Sequence, residues 1–298
     1  MKILLVIDGS SHSDIATRTL KALRLPSRTE VTVMTVVPEH TFLGGITLGK
    51  IKGASVKKEA QQQRALELLQ ATVQMLSTHK LKVESLVRWG NPTETILKTA
   101  RESGVSLVVM GAKGLTDPSQ FLLGSVAQKV MKYANASVLL ARKKTTAINR
   151  TLLATDGSKY SDAVIRFLLD FPLPHHSQII VITALQSHLT AWMKMPTLDL
   201  QTNQELLANL QAAEEDEARK ITAKVEKQFQ ANGYKTASAV MRGGAAESIL
   251  TAAKEYKPNI IALGSRGLSR IESLLLGSVA ERVARYANCS VLIGRAPR

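Results

Sequence analysis

The sequence specifies an α/β chain of two tandem, doubly wound Rossmann-like domains, each a five-stranded parallel sheet with helices on both faces. Three observations lead there. The chain repeats itself, because Lys2-Ile-Leu-Leu-Val-Ile-Asp8-Gly9-Ser10 returns 148 positions later as Arg150-Thr-Leu-Leu-Ala-Thr-Asp156-Gly157-Ser158. Such a repeat decides the organisation before any local signal does. Within each repeat, short apolar runs alternate with amphipathic stretches, the order of a parallel sheet with right-handed helical crossovers. Finally, 298 residues at 45% hydrophobic supply material for two cores, at roughly 150 residues per domain.

The first repeat opens with an apolar run at 3–7, followed by Ser13 or Asp14 as the cap of a helix that runs to Arg24 and stops before Pro26. Runs at 31–37, 83–87, 107–110 and 138–140 are β-branched or wholly apolar, as strands covered on both faces should be. Residues 54–78, rich in Gln, Leu and Ala, read as a long helix. Asn91-Pro92 places a capping residue ahead of a proline at the first helical position. The second repeat follows the same order, with its long helix at 200–232. Gly124-Ser-Val-Ala returns as Gly277-Ser-Val-Ala at an offset of 153, so a net five residues are inserted after the second strand. The linker at 143–149 separates a first domain, 1–144, from a second, 149–298.

Composition narrows the function. The net charge is +15; residues 1–146 carry 21 basic and 10 acidic side chains, and the remainder 18 and 14. This favours anionic partners, while 4% aromatic residues leave few platforms for stacking bases, so nucleic acid is disfavoured. Cys289 is alone, which excludes an internal disulfide and a multi-cysteine metal site. Its expected role is that of a small buried side chain. The six histidines show no paired metal-ligand spacing, and no metal site is assigned. No apolar run reaches a membrane span, and the expected compartment is the cytoplasm.

In open parallel sheets ligands sit beyond the carboxyl ends of the strands, where strand order reverses. That points to Asp8, to the chain after Val36 and to the segment after Met110. There the sequence reads Gly111-Ala-Lys-Gly114, nine residues, then Gly124-Ser125; the second repeat reads Gly264-Ser-Arg-Gly267, nine residues, then Gly277-Ser278. Glycine here is expected to allow positive φ and close approach of main-chain N–H groups to a phosphate. Ser125 and Ser278 open new helices, whose free amides and dipole suit an anion. The plainer reading is a tight turn with a helix cap, and spacing alone leaves both open.

The glycine pattern, the aspartate ending the first strand and the terminal Ala-Asn-Ala-Ser-Val-Leu-Leu strand resemble the universal stress protein family over nearly the whole chain, as two tandem domains. The resemblance implies ATP, with Mg2+ as an optional companion, near Asp8, Val36, Met110, Gly111, Lys113, Gly114, Gly124, Ser125 and Val126. In the second repeat it implies Asp156, Leu263, Gly264, Arg266, Gly267, Gly277, Ser278 and Val279. The aspartate and the chain after the second strand would meet adenine, and the glycines and serine the phosphates. The second repeat departs where Val36-Val37-Pro38 becomes Ala184-Leu185-Gln186. Ala127 and Ala280 also stand where relatives carry a hydroxyl.

For Asp8 and Asp156 the plainer alternative is a turn residue bonding its own backbone; for Lys113 and Arg266 it is solvated charge. Trp89 reads as packing, and Glu214 to Glu217 as a salt-bridged helix face. Lys50, Lys52, Lys57 and Lys58, among glycines, read equally as an anion-closing segment or a plain loop. The function expected is a nucleotide-dependent stress or signalling module with an unidentified signalling partner. The alternatives are a slow ATPase or autokinase, for which no catalytic residue is assigned, and a basic nucleic-acid-associated protein. The apolar last strands of the repeats are expected to pair with each other, within one chain or in a homodimer.

Overall fold

The computed structural model describes residues 1–38, 54–77, 81–114, 123–170, 173–174, 176–185, 204–267 and 276–295. They fall into two compact units, residues 1–147 and 148–295.

The first unit runs β1 (Lys2–Val6), α1 (Ser11–Ala22), β2 (Thr29–Val37), α2 (Ala54–Leu76), β3 (Leu81–Trp89), α3 (Pro92–Glu102), β4 (Leu107–Gly111), α4 (Ser125–Tyr133) and β5 (Ser137–Ala141). Its strands are parallel in the order β3-β2-β1-β4-β5. The strands without polar alternation are the covered ones: Leu4, Leu5, Leu107, Val108 and Val109 have no exposed surface. Each such side chain contributes about 1.5–3 kcal/mol by leaving water. β3 mixes half-buried and exposed positions, in keeping with a strand that carries Lys82, Glu84 and Arg88.

Helix α3 starts as expected, with Asn91 accepting from the Glu94 amide and Pro92 in the first turn. Helix α1 does not. Its cap is Ser10, whose Oγ accepts from the Ser13 amide at 3.1 Å. Ser13 lies one turn inside, buried, its hydroxyl donating to the Ser10 carbonyl at 2.8 Å. The helix ends at Ala22, short of Arg24.

The second unit runs β6 (Arg150–Ala154), α5 (Lys159–Asp170), β7 (Gln178–Leu185), α6 (Gln204–Ala231), β8 (Lys235–Arg242), α7 (Ala245–Tyr256), β9 (Ile260–Gly264), α8 (Ser278–Tyr286) and β10 (Ser290–Gly294). Its order is β8-β7-β6-β9-β10, again parallel. The acidic face of α6 is salt-bridged, with Glu215 to Arg219 and Asp216 to Lys220, each at 2.7 Å. Glu215 also accepts from Arg242 at the end of β8. Hydrogen bonds from Arg219 and Arg242 hold its carboxyl below the usual glutamate range.

One packing position differs between the units. In the first, Ala16 on α1 and Ala141 on β5 are both fully buried. Their counterparts in the second are Val164 and Gly294, and a Cβ on Gly294 would collide with the Cβ and the backbone Cα of Val164. The glycine lets the α5 backbone approach β10 more closely than a side chain would allow. Cys289 is buried. Among the described residues, no helix is long and apolar enough to cross a membrane.

Candidate functional site

In the first unit the chain leaves β1 for β2 and β3 on one side, then crosses to β4 and β5 on the other. The reversal lies between β1 and β4, paired from Ile3 with Leu107 to Val6 with Met110. Asp8 follows one of these strands and Gly111 ends the other, so the topology brings them to the same crevice. The second unit repeats this with β6 and β9, Asp156 and Gly264.

The Asp8 carboxylate divides its oxygens. Oδ1 accepts from the Ser10 amide at 3.0 Å, the turn contact of the plainer reading. Oδ2 lies against Gly114, where an added Cβ would come within 2.8 Å of it. Asp156 does the same, with Oδ1 accepting from the Ser158 amide at 3.0 Å and Oδ2 within 2.6 Å of a Cβ on Gly267. The aspartate and the glycine-rich segment therefore meet in each unit.

Positive φ is not what these glycines supply. None of Gly111, Gly114, Gly124, Gly264, Gly267 and Gly277 adopts it. They are close-approach glycines: a Cβ on Gly111 would lie 2.8 Å from the main chain of His12, and one on Gly264 2.7 Å from that of Tyr160. Gly124 packs on Lys113 and donates to the Ala112 carbonyl at 2.9 Å, and Gly277 donates to the Ser265 carbonyl at 2.8 Å. These bonds fold the segment so that α4 and α8 begin beside its first residues. Positive φ occurs instead at Gly9 and Gly157, at +80° and +73°, right after each aspartate. The Asp-Gly-Ser tripeptide behind a strand was the signal for that.

The helix starts differ in kind. Helices α1 and α3 are capped by side chains. Helices α4 and α8 begin on Gly124 and Gly277, with no side-chain cap bond. Their first-turn amides have no partner four residues back, and Ser125 and Ser278 stand exposed beside them. Helix α7 also starts on a glycine with no side-chain cap bond, and there the Glu247 carboxylate lies against Gly244.

Around this cradle, Met110 and Leu263 are buried at the strand ends, while Val36, Val126 and Val279 are half-buried. Lys113 is buried to 8% exposure, so it is not a solvated charge. Arg266 is half-buried, with Nη1 donating to the Tyr160 hydroxyl at 3.2 Å. Trp89 ends β3 half-buried, with Lys58 Nζ 5.0 Å from its ring centre. Lys50 and Lys52 and the side chain of Lys57 lie outside the described residues, as do 115–122 and 268–275 within the two glycine segments.

The sequence model of the universal stress protein family matches residues 1–142 and 147–295. A universal stress protein of Methanocaldococcus jannaschii, MJ0577, is 28% identical over 156 residues, covering 49% of this chain and 96% of that protein. One of Mycolicibacterium smegmatis is 24% identical over 310 residues, covering 98% of this chain and 96% of that one. Among solved structures, a universal stress protein of Archaeoglobus fulgidus superposes with a TM-score of 0.65 at 20% identity, covering 99% of this chain and 96% of the other. With the fold repeated and both halves matched, the chain belongs to the universal stress protein family as a tandem, two-domain member.

Proposed function

We propose that the chain is an ATP-binding stress-response or signalling protein in which one or both repeats hold nucleotide at the strand-order reversal. Occupancy favours one conformation, which a signalling partner reads. The observation that supports this best is the pair of uncapped helix starts, Gly124-Ser125 and Gly277-Ser278, each beside a segment folded closely enough to exclude a Cβ. Main-chain amides at the positive end of a helix dipole suit a phosphate chain. In this reading Asp8, Met110 and the Val36 main chain face the base. Gly111, Lys113, Gly114, Gly124, Ser125 and Val126 face the phosphates, with Ser125 able to join the shell of a Mg2+ that the triphosphate brings. Asp156, Leu263, Gly264, Arg266, Gly267, Gly277, Ser278 and Val279 do the same in the second repeat. Such a cradle grips ground state and transition state alike, so it lowers Kd without speeding hydrolysis.

Calorimetric titration with ATP tests the reading. Wild type is expected to bind. Gly114→Val/Gly124→Val should remove the first repeat's contribution and Gly267→Val/Gly277→Val the second's. A chain carrying all four substitutions, folded by circular dichroism yet binding as tightly as wild type, would place the nucleotide elsewhere.

A further inference from the structure

The two cradles differ in the group that faces the middle of the glycine segment. In the second unit Tyr160, in the first turn of α5, carries two cations on one ring: the Arg266 guanidinium 5.4 Å and Lys159 Nζ 5.3 Å from its centre. Arg266 is also fixed by the hydrogen bond to the Tyr160 hydroxyl. The backbone beneath is fixed too, because Gly264 packs on the Tyr160 main chain so closely that a Cβ would clash. In the first unit the corresponding residues are Ser11, His12 and Lys113. That unit has one cation where the second has two, and an ammonium where the second has a planar, forked donor.

Tyr160 thus has a part that its place on a helix does not explain. An unheld arginine gives up side-chain freedom when it grips a ligand. Stacked on a ring and bonded to its hydroxyl, Arg266 has already given up much of it. The aromatic ring attracts both cations, which gathers two positive charges around it. Arginine is the side chain whose donor geometry matches phosphate oxygens.

We propose that Tyr160 is a positioning residue that holds Arg266 ready for the phosphate chain of a nucleoside triphosphate. The second repeat then selects its ligand mainly through the phosphates, and the first does so less. The inference rests on the nucleotide-binding reading above. It fits the departure at Ala184-Leu185, where the second repeat loses the Val-Val-Pro stretch on the base side.

The test uses the full chain carrying Gly114→Val/Gly124→Val, so that titration reports the second repeat. In this background Tyr160→Leu should raise the Kd for ATP about three- to thirtyfold, the range of an aromatic–cation contact, and leave the Kd for adenosine unchanged. Tyr160→Phe, which keeps the ring, should fall between. In an Arg266→Ala background Tyr160→Leu should cost nothing more, because the group it positions is gone. Equal losses for ATP and adenosine, or an undiminished loss beside Arg266→Ala, would make Tyr160 merely structural and overturn the proposal. If wild type binds ATP and the Gly114→Val/Gly124→Val chain does not, this inference fails while the first repeat's reading stands. If wild type binds none, both fall.

Discussion

Asp8 and Gly9 show how much a dipeptide at a strand end decides. Oδ1 of Asp8 accepts from the Ser10 amide, and Gly9 makes that turn possible at φ +80°. A side chain at such a φ costs about 1–2 kcal/mol. Gly9→Ala should therefore lower the unfolding free energy by about that much, read from the midpoint of urea denaturation. Gly114→Ala has ordinary φ and a different effect: its Cβ would push on Asp8 Oδ2, so ATP affinity should fall while the urea midpoint moves less than for Gly9→Ala. The opposite ranking of the two midpoints would mean that the roles of the two glycines have been exchanged.

Among the elements, α5 and β10 offer the sharpest test, since their packing depends on a missing Cβ. Gly294 lies so close to Val164 that an added Cβ would meet the Val164 Cβ and Cα. Forcing extra volume into a packed site costs about 1–3 kcal/mol. Gly294→Ala should lose at least that much stability in chemical denaturation, and adding Val164→Ala should not restore it, because alanine keeps the Cβ and Cα that the new side chain meets. Full recovery in the double variant would mean that the branched end of Val164, and not the approach of the α5 backbone, sets the contact. The tie of α6 to β8 adds a pH dependence. Because the folded pKa of Glu215 is depressed by Arg219 and Arg242, its contribution is present above the unfolded value and disappears as pH falls through the folded one. Wild type should have a higher Tm than Glu215→Gln at neutral pH, and the gap should close in acid below the ordinary glutamate value of 4.5. The side chain is exposed enough for solvent to keep the gap small. A gap that persists unchanged at pH 3 would assign it to something other than this charge.

For the molecule as a whole, the layout was readable because burial on both faces writes unbroken apolar runs. The strands at 3–7 and 107–110 were found within a residue of β1 and β4. The cap of α1 was not, because Ser10, Ser11, Ser13 and Asp14 all suit a cap, and only the hydrogen bond between Ser10 and Ser13 selects one. The glycines between β4 and α4 stand plainly in the sequence, but sequence cannot tell a glycine needed for its φ from one needed for its missing Cβ. That distinction depends on what packs opposite, here the main chain of His12 and Tyr160. Nothing in the sequence marks Tyr160, since its arginine is 106 residues away.

That separation has a kinetic meaning. Asp8 and Gly114 touch only when β1 has paired with β4, and Ile3 meets Leu107 only after more than a hundred residues have been folded between them. Contacts so distant along the chain are among the costliest to form early, so the crevice belongs to the native state and not to its precursors. A ligand held there binds the folded chain and not the unfolded one, and at a hundred times its Kd would add about 2.7 kcal/mol to stability. Amide hydrogens of β1 and β4 should then exchange more slowly in the presence of ATP. The crevice would make cellular nucleotide a determinant of how long each repeat stays folded, and so of how long the protein survives proteolysis.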